Sequence, residues 1–403
     1  MGVLAAARVV TAERVHSPGW VEHAGGRIVA VGWGPRPDAR LCPPGATIVP
    51  GFVDMHVHGG GGGSYTALDA ASVRRARAAH LAHGTTATVA SLVTAAPEPL
   101  LASVRMLAEL AEEGTIDGIH LEGPWISPLR RGAHDAAALR APDPPELQRL
   151  LAAGRGALSM VTLAPELPGA LAAIRQLMDA GVVGAVGHTD AGYEEVLAAV
   201  RAGASVGTHL FNAMRPAHHR EPGPALALLD SPEVTVELIA DGVHLHPAVH
   251  RQALRLAGAG RVALVSDAME AAGLGDGEYR LGELAVAVRS GVARLAGADT
   301  IAGGTATMDA LFRAALAVHE GSPGRQRVPA EAVPASEEAW RSAVRQTATT
   351  PARTLGWDHV GDLLPGRRAD FVVLDEQAQL LEVFAAGVSV GPGRPAVTPG
   401  RES

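Results

Sequence analysis

Residues 118–125 read Gly-Ile-His-Leu-Glu-Gly-Pro-Trp, a short apolar segment that ends on a carboxylate and then turns. The apolar run predicts a strand over residues 116–121, because Gly123-Pro124 breaks the extended chain directly after Glu122. A carboxylate at the end of a buried strand is costly unless a cation or a proton balances it. The rest of the chain must therefore bring a partner to Glu122.

Apolar strands alternate with Ala- and Leu-rich helices on both sides of this segment, which is typical of parallel βα units. The candidate strands are residues 48–55, 85–93, 116–121, 158–163, 182–187, 204–208, 234–240 and 261–266. Helices are expected between most of them, for example over 68–83, 98–113, 169–180, 191–202 and 247–258. Eight such strands favour a closed (β/α)8 TIM-type barrel over an open doubly wound sheet.

Both ends of the chain instead carry short strands with turn signals. Gly25-Gly26 predicts a hairpin near the amino end, and residues 369–375 and 380–390 read as strands near the other end. We expect the two termini to form one small β-sandwich domain, built from residues 1–50 and 358–403, beside a barrel domain of residues 51–357. After the eighth strand we expect an exposed hairpin over 279–296, a loop over 321–336 and a helix near 337–350.

The composition excludes several classes of function. The chain has 403 residues and a formal net charge of -8, which argues against nucleic-acid binding. It contains no lysine, so a Schiff-base lysine, a P-loop lysine and a carboxylated lysine are all excluded. The single cysteine, Cys42, fits a reducing compartment, and neither a signal peptide nor an apolar run of about 18 residues is recognisable. We expect a soluble cytoplasmic protein that binds no membrane.

Ionisable residues collect at the ends of the candidate strands, where a barrel enzyme builds its active site. In the first strand the spacing of His56 and His58 puts both imidazoles on one side. Other strand ends carry Glu122, His188, His209, His244 and Asp267. One buried histidine is usually a satisfied core residue, but packing does not explain several strand ends of this kind in one ring. The pattern predicts a site for Zn²⁺, Fe²⁺, Mn²⁺ or Co²⁺.

Two segments resemble signatures of the amidohydrolase superfamily: residues 50–59 resemble its first-strand motif, and residues 361–370 its late motif. Five further segments resemble the N-acetylglucosamine-6-phosphate deacetylases of that superfamily, namely residues 120–124, 132–134, 187–190, 208–214 and 266–269. The resemblance extends over nearly the whole chain. The missing lysine agrees with it, because this branch uses a glutamate where many relatives use a carboxylated lysine.

The resemblance implies roles for particular residues. Glu122, His188 and His209 would hold the main divalent metal ion, with Zn²⁺ favoured. His56 and His58 would hold a second ion bridged by Glu122, so one or two ions per subunit are expected. Asp267 would be the catalytic acid and base, and His134 would polarise the substrate carbonyl. The implied substrate contacts are Ala133, His134, Asn212, Ala213, Arg220, His244, Ile301, Ala302 and Gly303. A homodimer is also implied.

The implied reaction is hydrolysis of the acetamide of N-acetylglucosamine 6-phosphate to glucosamine 6-phosphate and acetate, in amino-sugar catabolism. Its chemistry agrees with the residues, since a metal acidifies water and Asp267 can carry the proton to the leaving amine. One alternative is the same reaction on N-acetylgalactosamine 6-phosphate. Another is a different amidohydrolase, such as an N-acyl-amino-acid deacylase, which would not need Arg220 and His244. A non-enzymatic binding protein would have lost Asp267 or a metal ligand, and none is missing.

Overall fold

The structure, a computed structural model, describes residues 2–319 and 335–391. Eight parallel strands form one sheet in chain order. We number these barrel strands one to eight: Phe52–Val57, Thr85–Leu92, Gly118–Glu122, Leu158–Leu163, Val183–Val186, Val206–Gly207, Thr235–Leu238 and Val262–Leu264. The Asp267 N–H donates to the His56 carbonyl oxygen at 2.9 Å, and the His58 N–H to the Ala268 carbonyl oxygen at 2.8 Å. These bonds join strands one and eight, so the expected (β/α)8 barrel is confirmed.

Helices surround this barrel and bury their apolar faces against it. They are Ala70–Ala82, Pro97–Glu112, Pro144–Gly154, Ala170–Asp179, Tyr193–Arg201, Gly223–Asp230, Pro247–Ala257, Met308–His319, Glu337–Val344 and Thr350–Thr354, with 3₁₀ turns at Pro128–Arg130 and Ala136–Ala138. The first helix begins where the Asp69 carboxylate accepts the N–H groups of Ala71 and Ser72. No helix in the two described ranges is both long and apolar enough to cross a membrane.

The helix expected near 337–350 is interrupted, because Arg345–Thr349 forms a π-helical turn between two α-helical segments. The Thr347 hydroxyl donates to the Ala343 carbonyl oxygen at 2.8 Å within this stretch. The loop expected over residues 321–336 lies outside the described residues, apart from its last two positions.

Strands from both termini form two further sheets. The four-stranded sheet contains Gly2–Ala6, Gly19–Ala24, Arg27–Trp33 and Arg40–Leu41, and the six-stranded sheet contains Arg8–Val10, Val15–His16, Thr47–Pro50, Phe371–Leu374, Leu380–Ala385 and Val388–Ser389. Leu4, Val21 and Ile28 of the first sheet share one buried apolar cluster with Ile48 and Phe371 of the second. The expected β-sandwich of both termini is confirmed.

The candidate strand 48–55 was wrong as a single element. Thr47–Pro50 belongs to the six-stranded sheet of the sandwich, whereas Phe52–Val57 is the first barrel strand. Gly51 lies between them, and a Cβ atom there would collide with the Thr86 side chain. A glycine is therefore needed where the chain passes from one sheet to the other.

The hairpin expected over 279–296 is present, but it has a third strand and its apolar face is buried and not exposed. The segment forms three antiparallel strands, Gly277–Leu281, Leu284–Arg289 and Val292–Leu295. Its apolar side chains Val286 and Val288 are buried against Met269, which follows the eighth barrel strand. This three-stranded sheet therefore forms one wall of the region next to the barrel mouth. Two short antiparallel strands, Gly59–Gly60 and Gly63–Ser64, come directly after His58 in the chain.

Candidate active site

Glu122, the last residue of the third barrel strand, lies at the centre of a cluster of buried histidines. Its Oε1 atom is 3.0 Å from His188 Nε2 and 2.8 Å from His209 Nε2. Its Oε2 atom is 3.1 Å from His58 Nε2 and 3.3 Å from His134 Nε2. The residue is 3% exposed. The two oxygens of one carboxylate therefore face two different pairs of imidazoles.

His188 and His209 follow the fifth and sixth barrel strands in an unusual backbone conformation. Their φ angles are 48° and 25°, in the region that non-glycine residues rarely adopt. This conformation brings their Nε2 atoms within 3.0 Å of each other. His188 Nδ1 donates to the Arg130 carbonyl oxygen at 2.8 Å, which leaves a lone pair on Nε2. Strained backbone is retained here because it aims both rings at Glu122.

His56 and His58 approach Glu122 from the end of the first barrel strand, where His58 Nε2 contacts Oε2 and His56 Nε2 lies 3.5 Å from Oε1. The two Nε2 atoms are 3.2 Å apart, and Asp267 Oδ1 lies 3.2 Å from His58 Nε2. His58 Nδ1 donates to the Ser91 carbonyl oxygen at 3.1 Å, and His56 Nδ1 lies 3.1 Å from a Glu237 carboxylate oxygen. Because both Nδ1 atoms face acceptors, each ring, when neutral, presents the lone pair of its Nε2 atom to the other ring.

This donor set fits a divalent metal ion. Two imidazole lone pairs 3.2 Å apart repel each other unless a cation lies between them. Zn²⁺ binds histidine nitrogen at about 2.0–2.1 Å, which places neighbouring tetrahedral ligands about 3.3 Å apart. Within the two described ranges, two groups of side chains have ligand atoms within 4.8 Å of one another, and both include Glu122: His56, His58, Glu122 and Asp267 in one, and Glu122, His134 and His188 in the other.

The charges of the cluster oppose the effect of burial. Burial alone would lower the pKa of His58, but hydrogen bonds to Asp267 and Glu122 raise it to about 9. Burial would raise the pKa of Asp267, but His56 and His58 lower it to about 2. Burial also works against the charge of Glu122, yet His56, His188 and His134 hold its pKa well below the usual range. The site therefore keeps its carboxylates ionised and attracts positive charge.

His134 differs from the other imidazoles because burial lowers its pKa to about 4, which keeps the ring neutral at neutral pH. The Thr94 N–H donates to His134 Nδ1 at 3.2 Å. Since Nδ1 is an acceptor, the proton of the neutral ring is on Nε2, which faces Glu122. His134 can therefore donate a hydrogen bond from Nε2 to a group that enters the site.

The cluster opens into a cavity of about 340 Å³. Among the predicted site residues, those lining it are His58, Glu122, Ala133, His134, His188, His209, Asn212, Ala213, His244, Asp267, Ile301 and Gly303. His244 Nδ1 is 2.7 Å from Asp241 Oδ2. Burial would lower the His244 pKa, but the bond to Asp241 raises it. The Asp241 carboxylate therefore favours the charged form of His244 at the cavity wall.

Three predicted residues do not line the cavity. His56 is fully buried behind His58 and contacts the cluster without lining the cavity. Arg220 is exposed on the loop after the sixth strand, where its Nη1 atom is 2.7 Å from His219 Nε2. The side chain of Ala302 is fully buried in the apolar cluster around Met269. The structure thus brings most of the predicted residues together and leaves Arg220 outside the cavity wall.

Sequence reasoning missed several residues that hold the site in place. Glu237, on the seventh barrel strand, is fully buried behind His56. His120 is buried between Ser91 Oγ at 2.9 Å and Thr162 Oγ1 at 2.8 Å, and burial holds its pKa well below the usual value. The sequence signal that could have found Glu237 is its position as an acidic residue inside an apolar strand, because a buried carboxylate is costly without a partner.

A (β/α)8 barrel with a buried carboxylate shared by histidines at its strand ends is the arrangement of a metal-dependent hydrolase. The Amidohydrolase family matches residues 47–391 of this chain. The chain belongs to the amidohydrolase family, whose members depend on metal.

Its similarity to particular members is extensive. The chain is 36% identical over 345 residues to the N-acetylglucosamine-6-phosphate deacetylase of Vibrio furnissii, covering 84% of this chain and 82% of that one. It is 34% identical over 400 residues to the N-acetylgalactosamine-6-phosphate deacetylase of Escherichia coli O157:H7, covering 96% and 98%. A mutant N-acetyl-D-glucosamine-6-phosphate deacetylase of Mycobacterium smegmatis, solved in complex with N-acetyl-D-glucosamine-6-phosphate, aligns with a TM-score of 0.91 at 52% identity, covering 97% and 99%. The resemblance inferred from the motifs is confirmed.

Proposed function

We propose that this protein hydrolyses the acetamide of N-acetyl-D-glucosamine 6-phosphate to D-glucosamine 6-phosphate and acetate, in amino-sugar catabolism. The observation that carries the proposal is that Glu122, Asp267 and His134 face one cavity of about 340 Å³. This volume lies in the range of small-molecule sites. The relatives from Vibrio furnissii and Mycobacterium smegmatis, both N-acetylglucosamine-6-phosphate deacetylases, support this choice of substrate.

We assign the main metal position to Glu122, His188 and His209, and a second position to His56 and His58 with Glu122 between the two. A bound divalent ion, with Zn²⁺ favoured and Fe²⁺, Mn²⁺ or Co²⁺ as alternatives, would supply Lewis acidity that polarises an amide carbonyl and acidifies water. The chain contributes a rigid set of nitrogen and oxygen ligands, since every one of these side chains is less than a tenth exposed.

Asp267 is the group that we propose to move the proton. Its carboxylate is ionised, because His56 and His58 lower its pKa to about 2. Its Oδ1 atom lies beside His58 Nε2 at the cavity wall. Asp267 can take a proton from the attacking water and pass it to the nitrogen of the departing amine, which is otherwise a poor leaving group.

His134 is the group that we propose to stabilise the reacting carbonyl. The Thr94 N–H holds its Nδ1 as an acceptor, so the Nε2 proton points into the site. A hydrogen bond from Nε2 to the carbonyl oxygen strengthens as negative charge develops there. The low pKa of His134, about 4, keeps the ring in this neutral form.

The remaining predicted residues are proposed to bind the sugar phosphate: Ala133, Asn212, Ala213, Arg220, His244, Ile301, Ala302 and Gly303. His244 lines the cavity, and the Asp241 carboxylate 2.7 Å from its Nδ1 atom favours the charged form of the ring, which would attract a phosphate. Arg220, on the exposed loop after the sixth strand, is proposed as a phosphate ligand because a guanidinium donates two parallel hydrogen bonds to phosphate.

Acetate release tests the proposed reaction. The metal-loaded protein is incubated in parallel with N-acetylglucosamine 6-phosphate, N-acetylglucosamine and N-acetylgalactosamine 6-phosphate. We expect fast release from the first substrate alone. Fast release from the third would favour the galactosamine alternative, which the Escherichia coli relative represents. No release from any of them by protein with bound metal would contradict the proposal and redirect the search to N-acyl amino acids.

We also propose that the protein is a cytoplasmic homodimer. The single cysteine agrees with a reducing compartment. The homodimer follows from the family resemblance. Sedimentation velocity tests it, and a monomer at micromolar concentration would contradict it.

A further inference from the structure

Glu237 is a buried carboxylate that the proposed reaction does not use. It lies on the seventh barrel strand and is 0% exposed. Its Oε2 atom is 3.1 Å from His56 Nδ1 and accepts the backbone N–H of His209 at 3.1 Å. Its Oε1 atom has no hydrogen-bond partner in the part of the chain that the structure describes. A carboxylate buried in this way carries a cost that packing alone does not explain.

The contact with Glu237 fixes the proton of the His56 ring. Glu237 Oε2 already accepts the His209 N–H, so this oxygen acts as an acceptor. The neutral His56 ring must therefore carry its proton on Nδ1, which leaves the lone pair on Nε2. That Nε2 atom lies 3.5 Å from both Glu122 Oε1 and Asp267 Oδ1, in the group of side chains suited to the second metal position.

The two histidines of the second position are oriented in different ways. His58 Nδ1 donates to a main-chain oxygen, that of Ser91, at 3.1 Å. His56 Nδ1 instead has a side-chain partner, the Glu237 carboxylate, at 3.1 Å. A substitution can therefore remove the charged partner of His56 without replacing a metal ligand. The same Glu237 oxygen also accepts the backbone N–H of His209, a proposed ligand of the main position. One carboxylate oxygen therefore contacts a ligand of each proposed metal position.

We propose that Glu237 is a positioning residue that makes His56 a metal ligand and thereby sets the affinity of the second metal position. This inference rests on the ligand set assigned under the proposed function. A carboxylate that accepts the distal N–H of a ligating histidine fixes its tautomer and raises its basicity, and loss of such a partner typically weakens metal binding about 10–100-fold. The main position should change little in Glu237→Gln, because Glu122, His188 and His209 all remain and the amide oxygen of the variant can still accept the His209 N–H.

Metal binding without substrate tests the proposal. Wild-type protein, Glu237→Gln and the control Thr347→Val are stripped of metal and equilibrated over a range of buffered free Zn²⁺, and bound zinc per chain is measured by mass spectrometry. Thr347 is also fully buried, but it lies outside the candidate site, where its hydroxyl donates to the Ala343 carbonyl oxygen. We expect wild type and control to bind two ions, and Glu237→Gln to bind the first normally and the second about 10–100-fold more weakly.

A second pair of variants tests whether Glu237 acts through His56. His56→Asn removes the ring, so His56→Asn and the double variant Glu237→Gln/His56→Asn should show the same loss at the second position. An additional loss in the double variant would overturn the proposal. The proposal would also be overturned if Glu237→Gln bound both ions with wild-type affinity, or if its affinity fell equally at both positions. Binding of a single ion by the wild type would overturn it as well. So would a melting temperature of metal-free Glu237→Gln far below that of the control. Acetate release plays no part in this test, so failure of the proposed reaction would be seen separately.

Discussion

The carboxyl end of the barrel and the β-sandwich are built on opposite principles. At the barrel end, His188, His209 and Asp267 have φ angles of 48°, 25° and 46°, and buried carboxylates face buried imidazoles. In the sandwich, Phe371 stacks on Phe384 with ring centroids 4.4 Å apart inside an apolar cluster. Of the nine non-glycine residues with positive φ in the described ranges, five lie at this end of the barrel and two in the sandwich, so backbone strain is concentrated where we propose the chemistry. Substitutions in the two regions should therefore affect turnover and stability separately.

The largest effect is expected at Glu122, because both proposed metal positions use it. Glu122→Gln should lower kcat/KM for acetate release on the order of 10⁴-fold, since the metal contributes several kcal/mol to the reaction. The melting temperature of the metal-free protein should not fall. Glu109→Gln, on the outer face of the second helix, is the matched control and should keep wild-type turnover. Normal turnover in Glu122→Gln would remove this carboxylate from the site.

Asp267→Asn separates proton transfer from metal binding. The variant should fold and bind metal, yet lose about 10²–10⁴-fold in kcat, because the amide cannot take a proton from water and return it. Bound zinc per chain and kcat are measured on the same preparation. Appreciable turnover in the metal-loaded variant would exclude Asp267 from the proton-transfer role.

A substitution in the sandwich should show the opposite pattern. Phe371→Ala removes a fully buried ring and should lower the free energy of unfolding by about 3–5 kcal/mol. The kcat per folded molecule should stay at the wild-type value. Urea denaturation and steady-state kinetics measure the two quantities, with Val388→Ala at an exposed sandwich position as control. A fall in kcat beyond the unfolded fraction would show that the two regions are coupled.

The smallest effect is a pH dependence away from the site. His250 lies on the helix Pro247–Ala257, where burial lowers its pKa from 6.5 to about 4 and Gln346 Oε1 lies 3.0 Å from Nε2. The unfolded chain binds a proton near pH 6.5 and the folded chain does not, so stability is lost as the pH falls from 6.5 to 4. The expected loss is about 3 kcal/mol.

Denaturant unfolding between pH 7 and pH 4.5 measures this dependence in wild type and in His250→Gln. The variant cannot titrate, so its stability should fall less steeply across this range. Parallel curves would mean that His250 is not responsible.

Much of the fold was predictable because its signals are local. The alternation of apolar strands and helices gave the barrel, and the spacing of His56 and His58 placed both rings on one side of a strand. The passage between sheets at Gly51 was missed because Thr47–Val57 is apolar on both sides of it. The third strand of the segment 277–295 was missed because the turn at Gly282-Glu283 is short.

The parts of the site that were missed depend on contacts between distant segments. Glu237 and His56 are 181 positions apart, and no local pattern reports that they touch. The left-handed conformations of His188 and His209 are likewise set by the surrounding packing, since non-glycine residues adopt them only rarely. The residue types at the strand ends could be predicted from the sequence, but the groups that orient them could not.

The most direct test of a metal-dependent hydrolase centred on Glu122 is a zinc titration of the stripped protein, with bound zinc and acetate release from N-acetylglucosamine 6-phosphate measured on each sample. We predict no release from the stripped protein, and release that rises in step with bound zinc in wild type and remains negligible in Glu122→Gln. Full release from protein verified to be free of metal would contradict the central claim.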